Sequence, residues 1–104
     1  MTVIVWQFRP VPGREADFVR AYGPDGLWVS FFRKGTGYRG TELVQDLRDR
    51  GRFLTLDRWD SEAAFLLFEQ EHAAEYAAID RQCESLCAEE RFLGRLEWPP
   101  VLPD

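Results

Sequence analysis

At 104 residues, 45% hydrophobic and 14% aromatic, the chain is read as a single domain over 1–104, with a packed core and a tail from residue 99. The 13 basic and 18 acidic residues leave a net charge of −5. One lysine (Lys34) and scattered arginines give no clustered cationic surface, which excludes nucleic acid as the expected partner. No run of about 18 apolar residues could cross a membrane, and Met1 leads straight into an apolar strand, so the expected setting is cytoplasmic with no membrane partner.

Thr2 to Arg9 is β-branched and aromatic and reads as a strand, ended by Pro10-Val11-Pro12-Gly13. Arg14 to Tyr22 follows as a helix with Phe18, Val19 and Tyr22 facing inward, stopped by Gly23-Pro24. Asp25 can cap a second short helix, Leu27 to Lys34, whose Leu27, Trp28, Phe31 and Phe32 form an aromatic stripe before Gly35. Thr41 to Leu47 and Arg52 to Trp59 read as antiparallel strands joined by the turn residues Arg48-Asp49-Arg50-Gly51.

From Asp60 or Ser61 a capped helical stripe runs to about Leu86, through Phe65, Phe68, His72, Tyr76, Ile79 and Cys83. At ~1.5 Å per residue it would be ~40 Å long, more than so small a domain can accommodate, and a break is expected near residues 71–74. Arg91 to Trp98 is a fourth strand, and the proline-rich tail cannot pair in a sheet interior. Cys83 and Cys87, four apart on the same predicted helix, suit neither a disulfide nor a metal site, and no metal is expected.

The order β-α-(α)-β-β-α-β is that of an α+β, ferredoxin-like split βαβ fold with a four-stranded antiparallel sheet. Alternation along the strands sets Val3 and Val5 against Ile4, Trp6 and Phe8, and Phe53 and Trp59 against Leu54 and Leu56. In the fourth strand Leu93 is set against Phe92, Leu96 and Trp98. A sheet apolar on both faces must be covered on both. The chain's helices cover one face, so a second copy is expected on the other, making a homodimer.

Three segments carry a family resemblance: Pro12-Gly13-Arg14-Glu15-Ala16-Asp17-Phe18, Gly37-Tyr38-Arg39-Gly40-Thr41-Glu42-Leu43 and Trp59-Asp60-Ser61-Glu62-Ala63-Ala64-Phe65. Together they resemble the antibiotic biosynthesis monooxygenase (ABM) domains of the dimeric α/β-barrel superfamily, over about residues 2–98. The resemblance implies a ferredoxin-like protomer and a dimer whose two sheets close into a barrel. Such families include cofactor-free oxygenases that turn phenolic polyketides into quinones, and haem-degrading enzymes. The oxygenases share Trp59, but their Asn four residues before it and Tyr six after it fall at Thr55 and Phe65 here. Against the haem-degrading members, the helix Trp falls at Phe68 and the ligand His at about Ala78, later than His72.

The residues support two functions of different classes. The first is a cofactor-independent monooxygenase acting on a small aromatic or polyketide-like molecule. His72, the only histidine, would accept a phenolic proton with help from Tyr76 one turn on. Trp59, Trp28, Phe65, Phe68, Thr55 and Gln7 would bind the substrate, with Gln7 and Thr55 expected in the same cavity. The alternative is a dimeric module that holds a hydrophobic or aromatic ligand without turnover, and haem degradation is a weaker third reading. Each residue also has a plainer use: Trp59 as a staple against the helix, His72 as a polar group at the helix break, and Tyr76 as core.

Overall fold

The computed structural model describes residues 1–103; Asp104, the end of the expected tail, lies outside the described residues. Its β-branched and aromatic first strand, β1 (Thr2–Pro10), lies inside the sheet. β3 (Phe53–Trp59) and β4 (Cys87–Glu97) flank it, and β2 (Tyr38–Gln45) pairs with β3. All pairs are antiparallel in the order β2-β3-β1-β4. This is the expected α+β, split βαβ arrangement. Within the chain the sheet is open, with β2 and β4 as its edges.

Four helices, α1 (Glu15–Tyr22), α2 (Leu27–Phe32), α3 (Glu62–Glu71) and α4 (Ala73–Cys83), pack on one face of the sheet. Ile4, Phe8, Phe53 and Trp59 of the strands share a core there with Phe18, Tyr22, Trp28, Phe31, Phe32, Phe65 and Phe68 of the helices. Ser61 rather than Asp60 caps α3, its Oγ accepting the Ala64 N–H at 3.0 Å. The expected break falls at His72, with φ −119° and ψ 27°. The His72 N–H donates to the Phe68 carbonyl at 3.0 Å, and its carbonyl accepts the Tyr76 N–H at 2.9 Å, so the residue closes α3 and opens α4. A 3-10 turn, Glu84–Leu86, ends the helical run where the stripe runs out. None of these helices is long and apolar enough to cross a membrane.

β4 departs from expectation twice. It begins at Cys87, four residues early, because β1 offers pairing partners as far as Pro10. Cys83 and Cys87 therefore lie on different elements, both as free thiols. A β-bulge also interrupts the strand: Val5 pairs with Gly94 and Trp6 with Phe92, leaving Leu93 as the extra residue. Directly paired residues point to the same face, so Phe92 joins Trp6 under the helices while Leu96 joins Val3 on the opposite face. The expectation that Phe92 and Leu96 share a side is corrected, since one inserted residue inverts the alternation.

The face away from the helices has an apolar centre with a polar surround. By register it gathers Val3, Val5, Leu54, Leu56, Val44 and Leu96 together with Gln7, Glu42, Arg58 and Arg91. Val44 and Leu96 on the outer strands are exposed, and Leu54 and Leu56 are half-buried.

Candidate functional site

β3 explains why this core contains a cavity. Its inward residues are Phe53, Thr55, Asp57 and Trp59, all buried. The two aromatic ends fill their space: Phe53 packs on Phe18 with centroids 5.2 Å apart, and Trp59 is held by Tyr38, Phe32, Phe65 and Phe68 at 5.2–5.9 Å. Between them Thr55 and Asp57 are too short to reach the helices. The gap is a cavity of about 90 Å³ whose apolar walls are Trp6 and Phe8 of β1, Tyr22 of α1, Trp28 and Phe32 of α2, and Tyr76 of α4. Its polar lining is Thr41, Thr55, Asp57, Asp80 and Glu90.

Asp57 is the chemical centre of this cavity. It is 7% exposed, and burial pushes its carboxyl up to about 6, partly offset by a hydrogen bond from Thr41. The Thr41 hydroxyl donates to Asp57 Oδ1 at 2.6 Å and lies 2.6 Å from the Tyr38 hydroxyl. Thr41 is the only side-chain donor to this carboxylate among the described residues; it reaches Oδ1, and Oδ2 takes no side-chain hydrogen bond. Tyr76 is pushed well above the ordinary phenol range, first by burial and then by Glu69 and Asp57, which keeps it a proton donor. The Trp28 Nε1–H is buried with no acceptor.

A second cavity of about 240 Å³ adjoins the first and shares Trp6 and Tyr76 with it. Ile4, Phe65, Glu69, Phe92 and Arg95 complete its lining. The Arg95 guanidinium lies over the Phe65 and Phe92 rings at 5.7 and 5.8 Å and pairs with Glu62 at 3.6 Å.

Of the residues singled out from sequence, Tyr76, Trp28 and Thr55 line the first cavity, and Phe65 and Tyr76 the second. Trp59, 0% exposed, and Phe68 pack behind the lining as core. His72 lines neither cavity; its ring packs on Phe68 in a tilted arrangement at 4.7 Å and meets Phe31 edge-on at 6.1 Å. Gln7 is corrected to the opposite face of the sheet, because Trp6 pairs with Thr55 and Gln7 with Leu54; its Oε1 accepts from Arg52 Nε at 2.7 Å. Asp57, Thr41 and Trp6 are absent from the sequence-based set. Strand parity carried the signal for Asp57, since 53, 55, 57 and 59 share a face and Phe53 and Trp59 belong inside.

No curated protein sequence matches this chain. Solved structures do match it in fold. A candidate antibiotic biosynthesis monooxygenase from Bordetella bronchiseptica superimposes with a TM-score of 0.72 at 19% identity, covering 97% of each chain. One from Deinococcus radiodurans gives 0.71 at 14% identity, over 100% of this chain and 98% of that one. SnoaB, a cofactor-independent oxygenase from Streptomyces nogalater, gives 0.66 for its N63A mutant at 16% identity, over 99% and 97%. The model of the antibiotic biosynthesis monooxygenase family matches residues 1–79, and the chain belongs to that family.

Proposed function

We propose that this protein is a cofactor-independent monooxygenase that oxidises a small phenolic or polyketide-like aromatic, with Asp57 as the base. The observation that carries this reading is a buried carboxylate with a free oxygen in an aromatic-walled cavity, poised to ionise just below neutral pH. A general base works best with a pKa near the operating pH, and Asp57 meets that condition. Asp57 takes the substrate's acidic proton; Tyr76, held protonated, donates to the oxygen on which the negative charge develops. The resulting anion supplies the electrons that reduce dioxygen. One oxygen atom forms a bond to the ring carbon, and the other leaves as water with the two hydrogens lost, so a phenol becomes a quinone. The orphaned Trp28 Nε1–H suits a further acceptor oxygen on the ligand.

The working unit is a homodimer formed through the uncovered apolar face of the sheet, so that two open sheets close on one another. Residues on that face point away from the cavity, and each protomer keeps its own site.

Oxygen uptake with a panel of mono- and polycyclic phenols tests the function. Turnover by the wild type that Asp57→Asn abolishes, with Kd for the substrate retained, is the expected result. Tight binding of phenols with no uptake under any condition would overturn it in favour of a non-catalytic ligand-binding module.

A further inference from the structure

The polar lining of the first cavity has one sign. Its charged members are Asp57, Asp80 and Glu90, and no lysine, arginine or histidine lines it among the described residues. Asp57 is buried on β3, while Asp80 of α4 and Glu90 of β4 are exposed and mark the solvent side of the chamber. Asp80 and Glu90 line the same cavity, and the Glu90 carboxyl is held above the usual range, first by the partial desolvation of its inner side and next by the charge on Asp80. Arg95 lines the adjoining chamber and pairs with Glu62 at 3.6 Å.

Around these carboxylates stand aromatic faces. Trp28 and Tyr76 meet at 5.3 Å and Trp28 and Tyr22 at 6.1 Å, and all three line the cavity. Aromatic faces and carboxylates both attract cations, while both repel a carboxylate or phosphate. Asp57 lines the cavity, and its Oδ2 accepts no side-chain hydrogen bond from the described residues, which leaves an acceptor open to a ligand there.

We infer that the cavity selects its substrate by charge, taking a hydroxylated aromatic that carries a protonated amine and rejecting one that carries a carboxylate or phosphate. The inference rests on the reading of this cavity as the substrate site and adds the substrate's charge class to it. The phenolic end lies inward at Asp57 and Tyr76; the ammonium lies outward at Asp80 and Glu90. A neutral phenol of the same shape binds with intermediate affinity.

The test is anaerobic calorimetry on the intact protein at neutral pH, so that binding is read without turnover. The probes are one hydroxynaphthalene scaffold bearing an aminomethyl, a methyl or a carboxylate group at the same ring position. The aminomethyl compound is expected to bind at least about tenfold more tightly than the carboxylate. Added salt should compress that difference, and the double variant Asp80→Asn with Glu90→Gln should compress it further. Both substituted residues are exposed, so the variant is expected to fold. Equal affinities across the series, tighter binding of the carboxylate, no binding by any of the three, or an undiminished preference in the double variant would each overturn the inference.

Oxygen uptake on the same compounds separates this claim from the oxygenase reading. Uptake without a charge preference defeats the selection alone, and a charge preference without uptake defeats the oxygenase alone.

Discussion

Thr41 and Asp57 stand directly opposite one another on β2 and β3, and the Thr41 hydroxyl donates to Asp57 Oδ1 at 2.6 Å. A hydroxyl has one proton to give, so Tyr38 is the donor in its own 2.6 Å contact with Thr41. The relay stabilises the charged form of Asp57 and opposes the desolvation that raises its pKa. For a base that must be ionised, kcat/KM for oxygen uptake should rise with pH through about 6 and level off above. Thr41→Val keeps the shape and removes the donor. It should move the ascending limb to higher pH, and a limb that stays in place would show that Asp57 does not set it.

Asp57 also weighs against stability. Its folded pKa, about 6, exceeds the 3.8 of an ordinary solvated aspartate, so the folded chain holds the proton more tightly than the unfolded one. Below pH ~4 both states are protonated and no penalty exists. Between about 4 and 6 the unfolded carboxyl ionises first, and stability is lost as pH rises, by about 3 kcal/mol in full. Asp57→Asn should be the more stable protein at neutral pH, while its advantage vanishes at pH ~4. Paired urea titrations at the two pH values check this. A variant that is no more stable at neutral pH would place the carboxylate in a better-solvated setting than the cavity suggests.

Much of this fold was legible because periodicity reports burial. The stripe from Phe65 to Leu86 marked the helices, and simple length required the break that falls at His72. The mixed sheet faces were legible for the same reason, and the register places Val3 and Val5 opposite the helices. The site was harder to read. A charged residue in a strand is ordinarily assigned to solvent, which hid Asp57 between Thr55 and Trp59, although parity puts it inside. His72 drew attention as the lone histidine on an apolar stripe, yet helix periodicity lapses at the break where it sits. The bulge at Leu93 leaves its clearest trace in Gly94, at φ +151°, and a single glycine does not specify a bulge.

The placement of His72 makes a prediction of its own. Its ring packs on Phe68 at 4.7 Å, tilted by 36°, and lines neither cavity. His72→Ala should cost about 0.5–1.5 kcal/mol in lost aromatic contact while leaving kcat for oxygen uptake within about twofold. Loss of uptake in a variant with an unchanged circular dichroism spectrum would return the proton transfer to His72.

Gly35 is required by a close approach. A Cβ there would fall 2.7 Å from both Phe68 Cδ1 and Trp59 Cη2. Both rings are buried and wedged among other aromatics, so neither can retreat freely. Gly35→Ala should destabilise the fold by about 1–3 kcal/mol, lowering the melting temperature by roughly 4–8 °C per kcal/mol. A melting temperature equal to wild type would mean that the turn before β2 shifts to relieve the clash.

The uncovered sheet face carries the last prediction. Leu56 sits on β3 between Val5 of β1 and Glu42 of β2, half-buried and directed away from the cavity. In an isolated protomer Leu56→Glu puts a carboxylate where water still reaches, so the fold should persist. Across a closed interface the same carboxylate is desolvated beside Val5, while Arg58 two residues along the same face is already paired with Glu42, a cost of several kcal/mol counted once from each protomer. Symmetry doubles the effect, because a two-fold interface presents the same patch from both sides. Sedimentation should therefore find the wild type at twice the chain mass and Leu56→Glu as a folded monomer. A variant that remains dimeric would move the interface to another surface and leave the apolar sheet face unexplained.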